Sequence, residues 1–319
     1  MVASQLFFPH LNQAEAAEQL NHLIAQPPQT FQQTGVRWTL AALKDSLGWL
    51  KSLSVSGVWR HLKRAGIARK HARGYVHSPD LEYLEKLREV VRVLELAAVS
   101  NGKIVVLFAD ELTFYRQPTL AFAYCQAKKE IQPKAEFSHQ SNTKGRIGGL
   151  INALSGQVTY RLASKCGKYE LIKLYEQARA DYPEAEIIYL IEDNCPIHFH
   201  AEVLNALVEQ ETRFALKVPE SWQNIQVKEW KKEKLPIQIV PLPTYASWCN
   251  PIEKLWRLLK QEVLHLHRRA DEWENLKEAI RKFLDKFRAK SAELLKYIGL
   301  TENSKLYGAT ISLLKEKTV

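Results

Sequence analysis

Cysteine is scarce in this 319-residue chain: Cys125, Cys166, Cys195 and Cys249 lie far apart and include no CxxC pair. That pattern excludes a small scaffold stapled by disulfides and suits a reducing cytoplasm. Glycine and proline are sparse too, at 13 each, which removes collagen-like and low-complexity classes. No apolar stretch approaches the roughly 20 residues that cross a bilayer. The longest, Ile104–Ala109 and Ile187–Ile191, read as buried strands, so no membrane partner is expected. The first twenty residues also lack the basic start and apolar stretch of a signal peptide. What the chain does have is a 46% hydrophobic content, sufficient for one large or two smaller cores, and positive charge. Its 45 Lys and Arg against 35 Asp and Glu leave +10, which makes nucleic acid the first candidate partner.

Most of that surplus is local. Between Val36 and His77 stand Arg37, Lys44, Lys51, Arg60, Lys63, Arg64, Arg69, Lys70 and Arg73 against one acid, Asp45. Leu40, Leu43 and Leu47 mark a helix ended by Gly48, and a second helix starts at a Ser54 or Ser56 N-cap and stops at Gly66. The pair reads as a helix-turn-helix. Its second helix should show Arg60, His61, Lys63 and Arg64 to a DNA groove while Val58, Trp59 and Leu62 pack inward. Ile67–His77, with Gly74 and Tyr75, suits a hairpin wing tracking phosphates. The DNA-contacting set is therefore Arg37, Lys51, Arg60, His61, Lys63, Arg64, Arg69, Lys70 and Arg73. An earlier helix over 13–25, ended by Pro27-Pro28, completes an all-α domain over 1–78, with a solvated basic face as the bland alternative. Leu81, Leu84, Leu87, Val91, Leu94 and Ala98 then predict a linker helix over 79–100.

Beyond it the pattern is that of a mixed α/β sheet. KIVVLFADE, 103–111, is a continuous apolar run ending in acids, as in a strand buried on both faces. Further strands are predicted over 121–126, 145–154 and 157–163, with a turn at Ser155-Gly156, then a helix over 168–182. EIIYLIEDN, 186–194, ends like the first run. A helix over 201–210 and short strands over 214–218 and 237–240 follow, and then LPTYASWCNPIEKLW, in which Asn250 can cap a helix whose first position is Pro251. That helix should bury Ile252, Leu255, Trp256, Leu259 and Val263.

Asp110 and Asp193 close two strands, and Glu253 opens a helix. Taken alone, Glu253 could merely complete a capping box with Asn250. Taken together, three carboxylates at one end of a sheet repel each other unless cations are bound, and oxygen donors suit Mg²⁺. Two such ions can serve an in-line phosphoryl displacement. Adjacent strand residues face opposite ways, so periodicity alone leaves Glu111 against Asp110, and Glu192 against Asp193, undecided.

The motifs FADE (108–111), GRIGGLINALSGQV (145–158), EDNCPIH (192–198) and above all LPTYASWCNPIEKLW (242–256) resemble those of bacterial DDE transposases of the mariner-like superfamily, insertion sequence 630 type. The resemblance implies an RNase H-like catalytic core over 101–265 behind the helix-turn-helix or winged-helix domain. It implies cut-and-paste transposition at TA dinucleotides, with Mg²⁺ or Mn²⁺, two ions, held by Asp110, Asp193 and Glu253. It further implies double-stranded DNA partners, both transposon ends and target, a homodimer on DNA, and a bacterial, nucleoid-associated location. His198 falls on the family's DNxxxH pattern, either approaching the phosphate or supporting Asp193, with a partly buried helix histidine as the plain alternative. The separation of 60 positions from Asp193 to Glu253 exceeds the family's usual spacing, which places an insertion near 213–236.

Other residues have plainer readings beside the functional ones. Lys144 and Arg146 flank the central hairpin and are candidates for holding backbone phosphates, and Asn250 is a candidate auxiliary group. Cys195, His198, His200, His265 and His267 invite a zinc site but match no common structural spacing. Trp248 and Trp256 read as core. Trp273, Leu276, Ile280, Phe283, Leu284 and Phe287 predict a helix in a C-terminal extension over 266–319. The rival functions are a catalytically inactive DNA-binding repressor derived from a transposase, and a nuclease for branched nucleic acid.

Overall fold

The computed structural model describes residues 12–70, 78–127, 130–165, 167–211, 214–215, 218–222 and 230–301. The chain divides into two compact units, 1–75 and 76–319. The first is helical. Helix α1 (Gln13–Ile24) starts at a capping box in which Asn12 and Glu15 bond each other's backbone N–H. Thr39 caps α2 (Leu40–Ser46) and Ser54 caps α3 (Val55–Arg64), their hydroxyls accepting from Ala42 N and Gly57 N. Gly66, at φ +74°, ends the turn after α3, a conformation that glycine adopts without Cβ strain. Leu20, Leu23, Leu43, Leu50, Val58 and Leu62 form the core of this three-helix arrangement.

One face of α3 departs from the sequence expectation. His61 is buried at 4% exposure, against the Trp49 ring, while Trp59 is 52% exposed beneath the Lys63 ammonium. At 100° per residue the inward stripe is Val58, His61, Leu62 and Ala65, and Trp59 lies one step off it. Arg37, Lys51, Arg60, Lys63, Arg64, Arg69 and Lys70 are exposed. Residues 67–70 have no regular structure, and Arg73, Gly74 and Tyr75 of the expected wing lie outside the described residues.

In the second unit, helix α4 (Tyr83–Val99) packs on the sheet instead of spanning free: Val90, Val93, Leu94 and Ala97 join Val106 and Phe108 in one core. Leu81 and Ala98, expected on that face, are exposed. A buried ion pair fixes its start. Asp80 lies 2.9 Å from Lys86 Nζ and accepts from Thr244 N at 2.7 Å.

The sheet has the order β3-β2-β1-β4-β5. Its strands are β1 (Ile104–Tyr115), β2 (Lys144–Asn152), β3 (Val158–Ala163), β4 (Ile187–Glu192) and β5 (Ile237–Pro241). β1, β2 and β3 form an antiparallel meander, and β4 and β5 run parallel to β1. This is the mixed, helix-flanked RNase H-like sheet that the sequence predicts. Pleat alternation divides its core in two. Val106, Phe108, Ile147, Ile151 and Ile191 face α4, α7 (Ile252–Leu259), α8 (Trp273–Asp285) and α9 (Ala292–Ile298). Val105, Leu107, Leu150, Ile188 and Leu190 face α5 (Lys168–Asp181) and α6 (Ala201–Ala206).

Several predicted elements differ. Ala121–Gln126 forms no strand: Phe122 and Tyr124 stand fully exposed, with no neighbouring strand to satisfy their backbone. Phe214, Ala215 and Val218 are not in a strand either. The C-terminal helix is two, broken before Ser291, whose side chain caps α9. Gly156, at φ +70°, makes the predicted turn, and a Cβ there would lie 2.5 Å from Ser291 O. The described part of the insertion sits on the α5 side, where Val218 and Trp230 pack and Lys232 meets Glu176. Arg213 and residues 223–229 lie outside the described residues, as does Cys166.

Candidate active site at the sheet end

Asp110 lies in the middle of β1, which runs on to Tyr115 instead of ending at the acids as the sequence predicts, because β2 pairs with it that far; β4 ends at Glu192, one residue before Asp193. The parallel register of β1 on β4 ends at Phe108 and Ile191, two residues before Asp110 and Asp193. Strand alternation decides the faces of Asp110, Glu111 and Glu192, whereas Asp193 lies past the end of β4. Asp110 shares the face of Phe108, toward α7, while Glu111 and Glu192 take the opposite face, toward α5.

Asp110 is held from α7. Trp256 Nε1 donates to Asp110 Oδ2 at 2.9 Å, and the ring lies flat against β2 because position 149 is glycine. A Cβ on Gly149 would come within 2.4 Å of Trp256 Cη2. Burial, then the Glu253 charge, push the Asp110 carboxyl up to about 7, against the Glu111 N–H and Trp256 bonds. Two acids thus repel at close range. Such a pair binds either a proton or a cation, and oxygen donors partly shut from water fit a hard divalent ion.

Glu253 is exposed in the first turn of α7. The capping-box alternative does not form: its carboxylate makes no hydrogen bond or ion pair among the described residues, and Pro251 stands at the cap. Asn250 does other work. Its Nδ2 donates to Ala109 O at 2.8 Å, tying the helix start to the residue before Asp110, and its Oδ1 meets Ile252 N at 3.4 Å. Asp193 is exposed at the tip of β4 and accepts from Cys195 N at 2.9 Å. The three carboxylates do not all close within 4.8 Å of one another; the group that does, among the described residues, is Asp193, Cys195 and His198.

His198 lies behind the sheet end at 1% exposure. Its Nδ1 is 3.0 Å from Glu192 Oε2 and 3.9 Å from Asp193 Oδ1, and its Nε2 is 3.3 Å from Glu111 Oε1. Burial alone would lower its pKa, but Glu192 and Glu111 carry it well above the ordinary value. Burial raises Glu192, opposed by His198 and by the Tyr175 hydroxyl, which donates to Glu192 at 2.8 Å. His198 is thus a buried residue of a short helical turn, Pro196–Phe199, closer to Glu192 and Glu111 than to Asp193.

The remaining candidates separate from this centre. Lys144 and Arg146 alternate with Glu111, on the α5 face, and Arg146 bonds the Thr113 hydroxyl. His200 Nδ1 accepts from Glu202 N, His265 Nδ1 meets Thr119 Oγ1, and His267 Nδ1 accepts from Arg269 N, so these three are engaged individually. Trp256 is core, at 1% exposure, but Trp248 is 41% exposed. Sequence reasoning missed the Trp256 bond to Asp110 and the need for Gly149. The one available signal was a glycine pair inside a predicted strand, which marks close approach of another element.

A family model for the DDE superfamily endonuclease matches residues 105–277. The chain belongs to the DDE superfamily endonucleases. It is similar to the insertion element IS630 uncharacterized 39 kDa protein of Shigella sonnei, at 22% identity over 83% of this chain and 69% of that protein. In fold it is similar to the Mos1 mariner paired end complex with Mn, at TM-score 0.61 and 17% identity, covering 99% of this chain and 81% of that one. The Mos1 transposase paired-end complex with left transposon end is also similar, at TM-score 0.59 and 16% identity, covering 98% and 82%. These likenesses agree with the motif resemblance, and the family model spans all three carboxylates of this DDE endonuclease.

Proposed function

We propose that this DDE endonuclease is the transposase of a bacterial insertion element, reading terminal repeats with its helical N-terminal unit and cutting and rejoining strands at Asp110, Asp193 and Glu253. The observation that carries the reading is Asp110 itself, held within β1 by the Trp256 indole at 2.9 Å, its carboxyl pKa raised by burial and then by the Glu253 charge. Like charges kept partly out of water call for a proton or a cation. Divalent cations bound there, Mg²⁺ or Mn²⁺ and two in this reading, would activate the attacking oxygen and stabilise the leaving one.

The chain's own residues do the rest. Trp256 and Asn250 orient Asp110 and the start of α7, and Glu253 is presented to solvent where a strand can approach. Water attacks a phosphodiester at the element end and the P–O3′ bond breaks, leaving a 3′-hydroxyl and a 5′-phosphate; that 3′-hydroxyl then attacks a target phosphodiester at a TA step, whose own P–O3′ bond breaks to release a target 3′-hydroxyl. The cut-and-paste outcome and a homodimer on DNA belong to the same proposal; the Mos1 paired-end complex with a transposon end, similar in fold, supports transposon-end DNA as partner. In the test, Asp110→Asn, Asp193→Asn and Glu253→Gln each abolish Mn²⁺-dependent nicking of end-containing duplex while end binding persists. Nicking that survives in all three, or is absent from the unsubstituted protein, favours the inactive repressor or another site.

A further inference from the structure

The outer side of α7 carries a feature that the three carboxylates do not explain. Its inward stripe, Ile252, Leu255, Trp256 and Leu259, is fully buried, and the opposite stripe exposes Glu253, Arg257 and Lys260. Neither cation has a carboxylate partner among the described residues, although Glu253 precedes Arg257 by one turn. Arg257 and Lys260 line an open cleft with Ser247, Trp248, Glu253 and His265. Trp248 is 41% exposed there, and its indole N–H reaches the Tyr83 hydroxyl at 3.3 Å, which anchors one edge of the ring.

The far wall is a built structure. After Leu259 the helix widens into a π-turn, Lys260–Leu264, in which His265 N bonds Lys260 O at 2.8 Å. Such turns recur at functional positions because they cost hydrogen-bond geometry. This one is pinned by the chain that leaves β1: Thr119 N bonds Leu264 O, Leu266 N bonds Thr119 O, and Thr119 Oγ1 meets His265 Nδ1 at 2.7 Å. The strand that bears Asp110 therefore also sets the far side of the cleft beside Glu253.

We propose that this cleft holds a single DNA strand flanking the cut phosphodiester, with Arg257 and Lys260 on its phosphates and Trp248 stacked on an unpaired base. Unpaired cations beside an exposed aromatic ring form the pattern that tracks single strands, since every base offers a π-face. A paired base offers only its edges. The inference rests on the reading of Glu253 as part of the cutting site and adds which form of the substrate lies there.

The test uses the full chain carrying Asp110→Asn, with a single-stranded element-flank oligonucleotide containing 2-aminopurine as the probe. Adding Arg257→Ala and Lys260→Ala should lower the slope of log affinity against log salt by about 1.4, from two contacts at about 0.7 each. Arg257→Lys with Lys260→Arg should restore it. Trp248→Ala should keep the slope, lose the fluorescence change, and weaken binding by roughly 5- to 100-fold. These side chains are exposed, so unchanged thermal unfolding accompanies the effect. Parent-like slope and fluorescence in both variants overturn the inference. If the unsubstituted protein then still nicks, the cutting site stands without it. Cleft binding in a protein that never nicks supports the cleft and removes the cutting site.

Discussion

Asp110 is the residue whose environment says most. Its pKa of about 7 lies above the ordinary carboxyl value, so the folded state binds its proton more tightly than the unfolded chain does. That contribution to stability is present below about pH 4 and lost as pH rises through about 7, leaving a penalty of up to about 4 kcal/mol in the metal-free protein. Asp110→Asn should therefore raise metal-free stability near pH 8 but not below about pH 4, measured by urea unfolding in chelator. Mn²⁺ should stabilise the parent and not this variant. Trp256→Phe keeps the ring against Gly149 but deletes the N–H to Asp110. About 1 kcal/mol of that bond is at stake, and the Mn²⁺ needed for half-maximal nicking should rise by roughly fivefold. Gly149→Ala should destabilise by about 1–3 kcal/mol in thermal unfolding, because its Cβ would displace the Trp256 ring.

At the scale of elements, α3 shows where periodicity is readable and where it is not. Its caps, length and buried Val58 and Leu62 are legible because Ser54 and Gly66 punctuate an apolar stripe. His61 and Trp59 are not. Histidine packs or titrates as its neighbours dictate, and Trp49, which covers His61, belongs to a different turn. His61→Ala should thus lower stability by about 1–3 kcal/mol and leave the salt dependence of end binding unchanged. Arg60→Ala with Arg64→Ala should do the reverse, reducing that dependence by about 0.9 per contact on duplex DNA. The start of α4 carries its own prediction. Burial would raise Asp80, but the Thr244 and Glu82 N–H groups and Lys86 hold it at about 2. Its contribution is present above the unfolded carboxyl value and lost as pH falls toward 2. Asp80→Ala, which strands Lys86 at 5% exposure, should cost about 3 kcal/mol in urea unfolding.

Over the whole molecule, the sheet and the segments bearing the three acids were readable, because apolar runs that end in acids have few folded solutions. Which way Asp110, Glu111 and Glu192 face was not readable from periodicity; it needed the knowledge of which helices cover which face of the sheet. The Trp256 and Asn250 links to β1 were equally hidden, since residues 109 and 110 meet 250 and 256 only after folding. The long second spacing reads differently once its place is known. The described insertion packs on the α5 face, whereas Glu253 arrives from β5 by a path tied down at Thr244, Leu242 and Asn250. Position along the chain and position in space are therefore uncoupled between the second and third acids. A lineage can lengthen, trim or replace that stretch without moving either carboxylate, so a tally of intervening residues says little about whether a given copy retains its chemistry.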